Sequence, residues 1–419
     1  MVVKPLPFTV VGRTCLSVYP NDGAIERRYP VTCKERVNLF GLPLEVDTLP
    51  FQEQDRDIAA CATSALWSVF YATGRRFQHA IPSPVQITKA ATQRAGYDER
   101  VLPNGKGLNN RQIADAIRSV GLEPATIGLG IENKPGGALR SAQERTALLK
   151  IATAAYLAAG IPCLLLGQVR DKTPKNDGPI LGSHARAVAG YRFEQIEPTA
   201  YGKTGILFSA TQMTHLYAHD DQVGPFARMK LLDNALLDSA QVNDKGERYK
   251  RVVDPQTLVV PLYNKIRIPF HQIMQIAINI DMLINNLQAA TTHSAHLNKK
   301  LVWDLQLMRL EDYRASLRDA PIDAPAKLRI LTRSLPRFLW VLTANSSNQQ
   351  KLFELLFDPT DLLQGRLFLD VVGHEETVFQ FLVSALAPMD AGIWTELSLE
   401  TIRIELAKYK SSDDESARA

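Results

Sequence analysis

The sequence predicts an α+β fold in which a helical half comes before an antiparallel sheet. Helix-forming segments fill the chain from about residue 57 to 159. Strand-forming segments follow, beginning with CLLLG directly after the helix-breaking run Gly160-Ile161-Pro162. Helices and strands that are separated along a chain are typical of α+β domains. With 419 residues and 45% hydrophobic residues, the chain is long enough for two domains.

The first 50 residues are predicted to be a β-rich segment of short strands and turns. Residues 8–11, 15–19 and 37–42 are apolar or β-branched, as strands commonly are. Asn21-Asp22-Gly23 is a turn signal between two of these strands. We therefore treat residues 1–50 as an N-terminal segment that precedes the main domain.

Four helices are predicted in the helical half. The first is DIAACATSALWSVFYATG, with Asp57 as its N-cap and Gly74 as its end. The others cover residues 84–95, 110–120 and 141–159, the last of which is rich in alanine. Together with the strands that follow, these helices define a domain over residues 51–268.

The sheet of this domain is predicted from four apolar segments and a fifth at residues 258–268. The four segments are CLLLG, HARAVAGYRF, GILFSA and THLYAHD. Beyond residue 268, HQIMQIAINIDMLINNLQAA, QQKLFELLF and ETVFQFLVSALA read as helices, whereas PRFLWVLTA and RLFLDVV read as strands. We interpret residues 269–409 as a smaller α+β domain and residues 410–419 as a disordered polar tail.

Composition and charge exclude several classes of protein. The net charge is +4 without a long run of like charges, so neither nucleic acid nor an anionic membrane is expected as a partner. The N-terminus lacks the apolar core of a signal peptide, and no apolar run is long enough to span a bilayer. Four cysteines without CxxC spacing predict neither a zinc ribbon nor a disulfide framework. We expect a cytoplasmic protein.

Four residues could carry chemistry, although each has an ordinary structural interpretation as well. Cys61 lies near the start of an apolar helix, where unpaired amides favour a thiolate; alternatively it is core packing. His184 opens a strand, where structural histidines are common. Asp220 and Asp221 end the strand THLYAHDD, where the alternative is a pair of solvated turn residues. On that strand, His215 and His219 are about 13 Å apart, too far to share one metal ion.

The order of these residues resembles that of papain-like cysteine peptidases, most closely the bacterial C39-like group. The segments that carry the resemblance are QDRDIAACATSALW, GLNNRQIADAIRSVGLEP, AAGIPCLLLG, GSHARAVAGYRF and LYAHDDQVGPF. They cover roughly residues 50–230, about half of the chain. The resemblance implies a nucleophile helix packed on an antiparallel sheet or barrel, with the substrate between the two halves.

The resemblance also implies a role for each residue. Cys61 would attack the acyl carbon, and His184 would take the thiol proton and later protonate the leaving group. Asp220, or alternatively Asp221, would orient the imidazole. Gln54 would form the oxyanion hole with the Cys61 amide, and Gln52 is the alternative, because Gln54 lies one residue farther from Cys61 than is usual in the family. Ala62 also departs from the glycine or tryptophan that is usual after the nucleophile.

The predicted function is hydrolysis of a peptide or isopeptide bond through a thioester acyl-enzyme, without a metal ion or organic cofactor. Two alternatives remain open on the same residues. One is transglutaminase-like or deamidase-like acyl transfer, in which only the acceptor differs. The other is an inactive relative that binds peptides. The expected partner is a protein or peptide substrate, and residues 269–409 could bind a further protein.

Overall fold

The computed structural model describes residues 12–23, 25–53, 60–94, 107–130, 138–173, 178–232, 234–239, 241, 251–290, 300–360, 367–386, 402 and 404. The helices are α1 (Cys61–Phe77), α2 (Pro84–Thr92), α3 (Asn110–Ser119), α4 (Ala142–Ala158), α5 (Phe270–Ala290), α6 (Leu310–Arg318), α7 (Ala324–Thr332) and α8 (Glu376–Leu386). The strands are β1 (Arg13–Thr14), β2 (Glu26–Arg28), β3 (Cys33–Leu39), β4 (Leu42–Thr48), β5 (Phe51–Gln52), β6 (Leu122–Gly128), β7 (Cys163–Asp171), β8 (Ile180–Phe193), β9 (Ala200–Tyr201), β10 (Ile206–Phe208), β11 (Met213–Asp220), β12 (Gly224–Lys230), β13 (Leu237–Asp238), β14 (Arg251–Tyr263), β15 (Val302–Arg309), β16 (Phe338–Asn345), β17 (Lys351–Phe357) and β18 (Phe368–Gly373).

The mixed α+β class predicted from the sequence is confirmed. The chain divides into two compact units, the first comprising residues 1–196 and 212–264 and the second residues 197–211 and 265–419. In the first unit, β12, β11, β8, β7, β14 and β13 pair in that order; β2 also pairs with β8, and β6 with β14. All of these pairings are antiparallel.

The helices of the first unit pack on this sheet through small and aliphatic side chains. Ala185 and Ala187 of β8 are buried in one core cluster with Leu66 and Phe70 of α1. Because alanine has only a methyl side chain, α1 can approach the strand closely. Helices α2 and α3 contribute further aliphatic residues to the same cluster. The packing of the first predicted helix against the second predicted strand thus positions the start of α1 near the sheet.

Most predicted helix ends are accurate to within a few residues, and the exceptions have physical causes. The first helix begins at Cys61 with Ala60 as its N-cap, so its prediction from an Asp57 cap is wrong; Asp57 itself lies outside the described residues. The same helix continues past Gly74 to Phe77, where Gln78 adopts the left-handed conformation and its N–H bonds the Gly74 carbonyl. Tertiary burial of Gly74 outweighs its weak helix propensity.

The second unit contains a sheet in the order β18-β17-β16-β15-β10-β9. Only β10 and β15 are parallel among its described pairs. Two predictions are wrong here. QQKLFELLF was expected to be helical, but residues 351–357 form β17, a strand with six buried residues in succession between β16 and β18. GILFSA was expected in the first sheet, but β10 belongs to the second.

Candidate functional site

Cys61 is the first residue of α1 and follows Ala60, which has no side chain that can bond the helix amides. Among the described residues, which do not include 54–59, no side-chain hydrogen bond caps this end. By contrast, α2, α3 and α4 each begin with a capping box, led by Ser83, Asn109 and Ser141. The N–H groups of a helix's first turn and the positive end of its dipole both favour a nearby anion. Cys61 lies at that end of α1.

A narrow cavity adjoins Cys61. Its lining comes from β5, α1, β8 and the end of β11: Phe51, Gln52, Cys61, Ser64, Ala65, Ser68, Ala185, His219 and Asp221. Gln52, the predicted alternative, is part of this lining, whereas Gln54 lies outside the described residues. The Gln52 Oε1 atom accepts a hydrogen bond of 3.3 Å from Arg13 Nε. With Oε1 bonded to Arg13, the NH₂ group is the part of the Gln52 amide that can donate to a substrate oxygen.

His219 lines the cavity but cannot serve as a base. Its Nδ1 atom accepts a hydrogen bond of 3.1 Å from the Phe226 N–H, so its Nε2 atom carries the proton, 2.8 Å from the Leu49 carbonyl oxygen. Burial lowers the pKa of His219 to about 4. Both ring nitrogens are thus engaged in holding the backbone, and the ring is neutral.

His184 and Asp220 are brought together as the sequence predicted. The His184 Nε2 atom lies 3.1 Å from Asp220 Oδ1 and 3.0 Å from Asp221 Oδ1. Only the contact with Asp220 has hydrogen-bond geometry, so the N–H points at Asp220 and Asp221 makes an ion-pair contact. All three side chains are buried. The imidazole therefore faces two carboxylates through a single nitrogen.

Arg186 completes the cluster and was not foreseen from the sequence. Its side chain is completely buried, and its Nε atom donates to Asp220 Oδ2 at 2.5 Å. The Gln222 N–H donates to the other oxygen, Oδ1, at 3.0 Å. The available signal was a charged residue within HARAVAGY, a strand whose neighbours are small and apolar. A charge in such a strand is retained only where a buried partner compensates it.

The charges of this cluster shift the two titrating groups in opposite directions. Burial and Arg186 lower the pKa of His184, but the Asp220 and Asp221 carboxylates outweigh them and raise it well above its ordinary value. Burial raises the pKa of Asp220, whereas Arg186 and His184 hold it well below the ordinary range. Both shifts favour the charged forms of His184 and Asp220.

Asp221 links the cavity to the cluster. Of the three clustered residues, Asp221 is in the cavity lining, and it contacts the imidazole of His184. His184 and Asp220 are not in that lining, although their strand neighbours Ala185 and His219 are. Among the described residues, no hydrogen bond joins the Cys61 sulfur to His184. Of the predicted triad, the described residues therefore bring His184 and Asp220 into contact, whereas Cys61 shares with Asp221 the lining of the cavity.

His184, Asp220 and Asp221 could in principle hold a metal ion, since one ligand atom from each lies within 4.8 Å of the others. The donor set nevertheless fits a cation poorly. Arg186 already neutralises Asp220 at hydrogen-bond distance, and its positive charge would oppose a divalent ion. The residues fit a proton shared between an imidazole and carboxylates better than they fit a metal.

Comparison with known proteins assigns no family to this chain. No protein-family model matches the sequence, and no curated protein matches it either. Within the described parts of the chain, none of the helices combines the length and the apolar character that crossing a membrane requires. The function must therefore be argued from the site.

Proposed function

We propose that this protein is a papain-like cysteine hydrolase that cleaves a peptide or isopeptide bond, with Cys61 as nucleophile and His184 as acid and base. One observation carries the proposal. Cys61 stands at the start of α1, in the lining of a cavity whose Asp221 contacts the same imidazole nitrogen that Asp220 holds. A thiol at a helix start and an imidazole oriented by a carboxylate are the parts that a thiol hydrolase needs.

The chemistry begins with transfer of the Cys61 thiol proton to the His184 ring. Since carboxylates raise the pKa of His184 well above its ordinary value, the ring holds the proton that the thiol gives up. The Nε2 atom is engaged by carboxylates, so Nδ1 is the atom that exchanges protons with the substrate. The Cys61 sulfur attacks the acyl carbon, and the tetrahedral intermediate collapses when the leaving nitrogen takes the proton from His184. Neutral His184 then activates water, which hydrolyses the thioester and restores both groups.

The oxyanion would be stabilised by the Cys61 backbone N–H and the Gln52 side-chain amide. Gln52 lines the same cavity, and Arg13 occupies its carbonyl oxygen. Losing one donor of this kind typically raises the barrier by about 3 kcal/mol. The donor predicted from the family pattern, Gln54, remains the alternative.

The proposal requires the imidazole to approach the sulfur when substrate binds. Catalytic hydrogen bonds are often long in unliganded enzymes and shorten in the substrate complex. In support, the GSHARAVAGYRF strand follows the order of the papain-like family, and α1 packs on its Ala185 and Ala187.

Selective alkylation tests the proposal. The other cysteines are protected: burial raises the pKa of Cys15 and of Cys163, and burial with Glu35 raises that of Cys33 to about 11. At about pH 6, we expect iodoacetamide to modify Cys61 at least about tenfold faster than the other three cysteines. Peptide mapping by mass spectrometry measures each rate.

Two histidine variants identify the base. His184→Gln should remove the selectivity for Cys61, whereas His219→Gln, a change at the other buried histidine of this site, should retain it. Far-ultraviolet circular dichroism checks that both variants fold. Mass spectrometry after a brief incubation with a peptide library should then detect a thioester on Cys61, absent in Cys61→Ala. Equal alkylation of all four cysteines in the wild-type protein would refute the hydrolase.

A second candidate function is peptide binding without catalysis. It is favoured by the missing hydrogen bond between Cys61 and His184 among the described residues. It predicts peptide binding together with an unreactive Cys61. Acyl transfer to an amine uses the same site, and incorporation of a labelled amine into a glutamine peptide would distinguish it from hydrolysis.

A further inference from the structure

Strand β8 has an unpaired edge immediately before His184. On one side, β7 pairs with β8 from Ile180 to Val188. On the other side, β11 pairs only with Ala187 to Phe193. The chain turns after Asp220 into β12, with the Val223 N–H bonded to the Asp220 carbonyl. Among the described residues, no strand therefore pairs with the β11 side of residues 180–186.

The first four residues of this edge, 180–183, are all exposed and uncharged; we call them the β8 edge. Ile180 is 52% exposed and Leu181 is 47% exposed. Native proteins usually protect such edges with charged residues, proline or bulges, because free N–H and C=O groups recruit other strands. Here Pro179 precedes the edge, and a register shift between β7 and β8 leaves Leu181 without a β7 partner. Neither feature blocks the β11 side of Gly182 and Ser183.

We propose that an extended peptide binds by adding a strand to the β8 edge. Its backbone would bond the free N–H and C=O groups, and its apolar side chains would pack on Ile180 and Leu181. This inference rests on the proposed function in one respect, since it names the substrate class: an unfolded or flexible chain segment with aliphatic residues. His184 follows Ser183 directly, so a peptide on this edge runs towards the candidate base.

The length of the edge favours a peptide over a second copy of the protein. A stable protein interface buries about 1,000 Å² or more. A pairing over the four exposed residues 180–183 is too short to bury such an area. It suits a substrate, because main-chain hydrogen bonds supply modest affinity with little sequence specificity and allow release of products.

A binding measurement on Cys61→Ala protein tests the inference without requiring catalysis. The probe is a fluorescein-labelled heptapeptide that alternates threonine with valine, and anisotropy gives its dissociation constant. We expect Leu181→Lys to weaken binding about tenfold, or about 1.4 kcal/mol. The matched control is Ile196→Lys, at an isoleucine that is 43% exposed elsewhere in the first unit, and it should bind like the parent.

The backbone contribution is measured by changing the probe and leaving the protein intact. A heptapeptide N-methylated at alternate residues on its bonding edge should lose about tenfold or more in affinity, because it lacks the donors for strand pairing. Hydrogen exchange should slow in the fragment containing residues 180–186 only with the unmethylated peptide. No binding by either peptide, protection elsewhere, or equal affinity of Leu181→Lys would overturn the inference.

Failure of the edge and failure of the hydrolase give different results. A reactive Cys61 without peptide binding at the β8 edge contradicts only the proposed peptide binding. Peptide binding at the β8 edge with unselective alkylation of the cysteines contradicts only the proposed hydrolase function.

Discussion

Each of the two units contains a buried carboxylate beside a histidine, and the two differ in how fully the carboxylate is hydrogen-bonded. In the second unit, Glu354 accepts hydrogen bonds from Tyr313 at 3.0 Å, Lys351 at 2.6 Å and Thr343 at 3.4 Å. His374 lies 3.1 Å from the same carboxylate. In the first unit, Asp221 contacts His184 but accepts no hydrogen bond from the described residues.

The difference indicates separate roles. A buried carboxylate with several donors on both oxygens stabilises its own fold, and it has no capacity left for a substrate. An incompletely bonded buried carboxylate costs stability and is retained where it serves a reaction or a ligand. Asp221 also lines the Cys61 cavity, which agrees with the proposed function. Arg186 is also a buried charged residue with incomplete hydrogen bonding, because its two terminal nitrogens have no hydrogen bond among the described residues.

The largest expected effect comes from Arg186→Met. Arg186 and Asp220 are completely buried, so removing the guanidinium leaves a buried carboxylate without its main counter-charge. Breaking such a pair typically costs about 4 kcal/mol. Hydrogen exchange followed by mass spectrometry should show the loss in β8 and β11 and no change in β16, which reports on the second unit.

The double variant Arg186→Met/Asp220→Asn controls for the lost packing of the arginine side chain. With both charges removed, most of the stability should return. If the double variant is as unstable as the single one, the effect of Arg186 comes from packing rather than from charge. The ion pair with Asp220 would then not be what stabilises this region.

The sequence predicted the contact between His184 and Asp220 but not the charges around it, for physical reasons. Cys61, His184 and Asp220 were selected from local features, namely a helix start, a strand start and a strand end, although β8 begins at Ile180 rather than at His184. Arg186 was missed because its partner lies on another strand, 34 residues away. The same limit explains β17 and β10: an apolar run that is buried on both faces has no period that separates strand from helix, and sheet membership depends on distant pairing.

Glu354→Gln tests the fully hydrogen-bonded carboxylate of the second unit and should have the second largest effect on stability. Burial raises the pKa of Glu354, but His374 and Lys351 outweigh it and lower the pKa from 4.5 to about 2. A lowered pKa contributes stability above the unfolded value, which is lost as pH falls from 4.5 towards 2. The shift corresponds to about 3 kcal/mol.

We therefore expect Glu354→Gln to cost the second unit about 3 kcal/mol at neutral pH. The acid loss of protection in β16 and β17, measured by hydrogen exchange between about pH 5 and 2, should flatten in the variant. Alkylation of Cys61 is the control and should stay unchanged. A slower alkylation would show that Glu354 does more than stabilise its own unit.

Asp221→Asn should have the smallest effect on stability, and this is the outcome that most sharpens the comparison. Because Asp221 accepts no hydrogen bond from the described residues, its replacement should change the free energy of unfolding by less than about 1 kcal/mol. Asp221 is nevertheless one of the groups that raise the pKa of His184. The variant should therefore lower that pKa, as NMR titration of the His184 ring would measure.

The same variant should change how stability depends on pH. A raised histidine pKa contributes stability below its unfolded value of 6.5, and this stability is lost as pH rises through the folded value. In Asp221→Asn this alkaline loss should begin at a lower pH. If Asp221→Asn lowered the free energy of unfolding as much as Arg186→Met does, Asp221 would resemble Glu354. It would then be a carboxylate that stabilises the fold and not one that is available to a substrate.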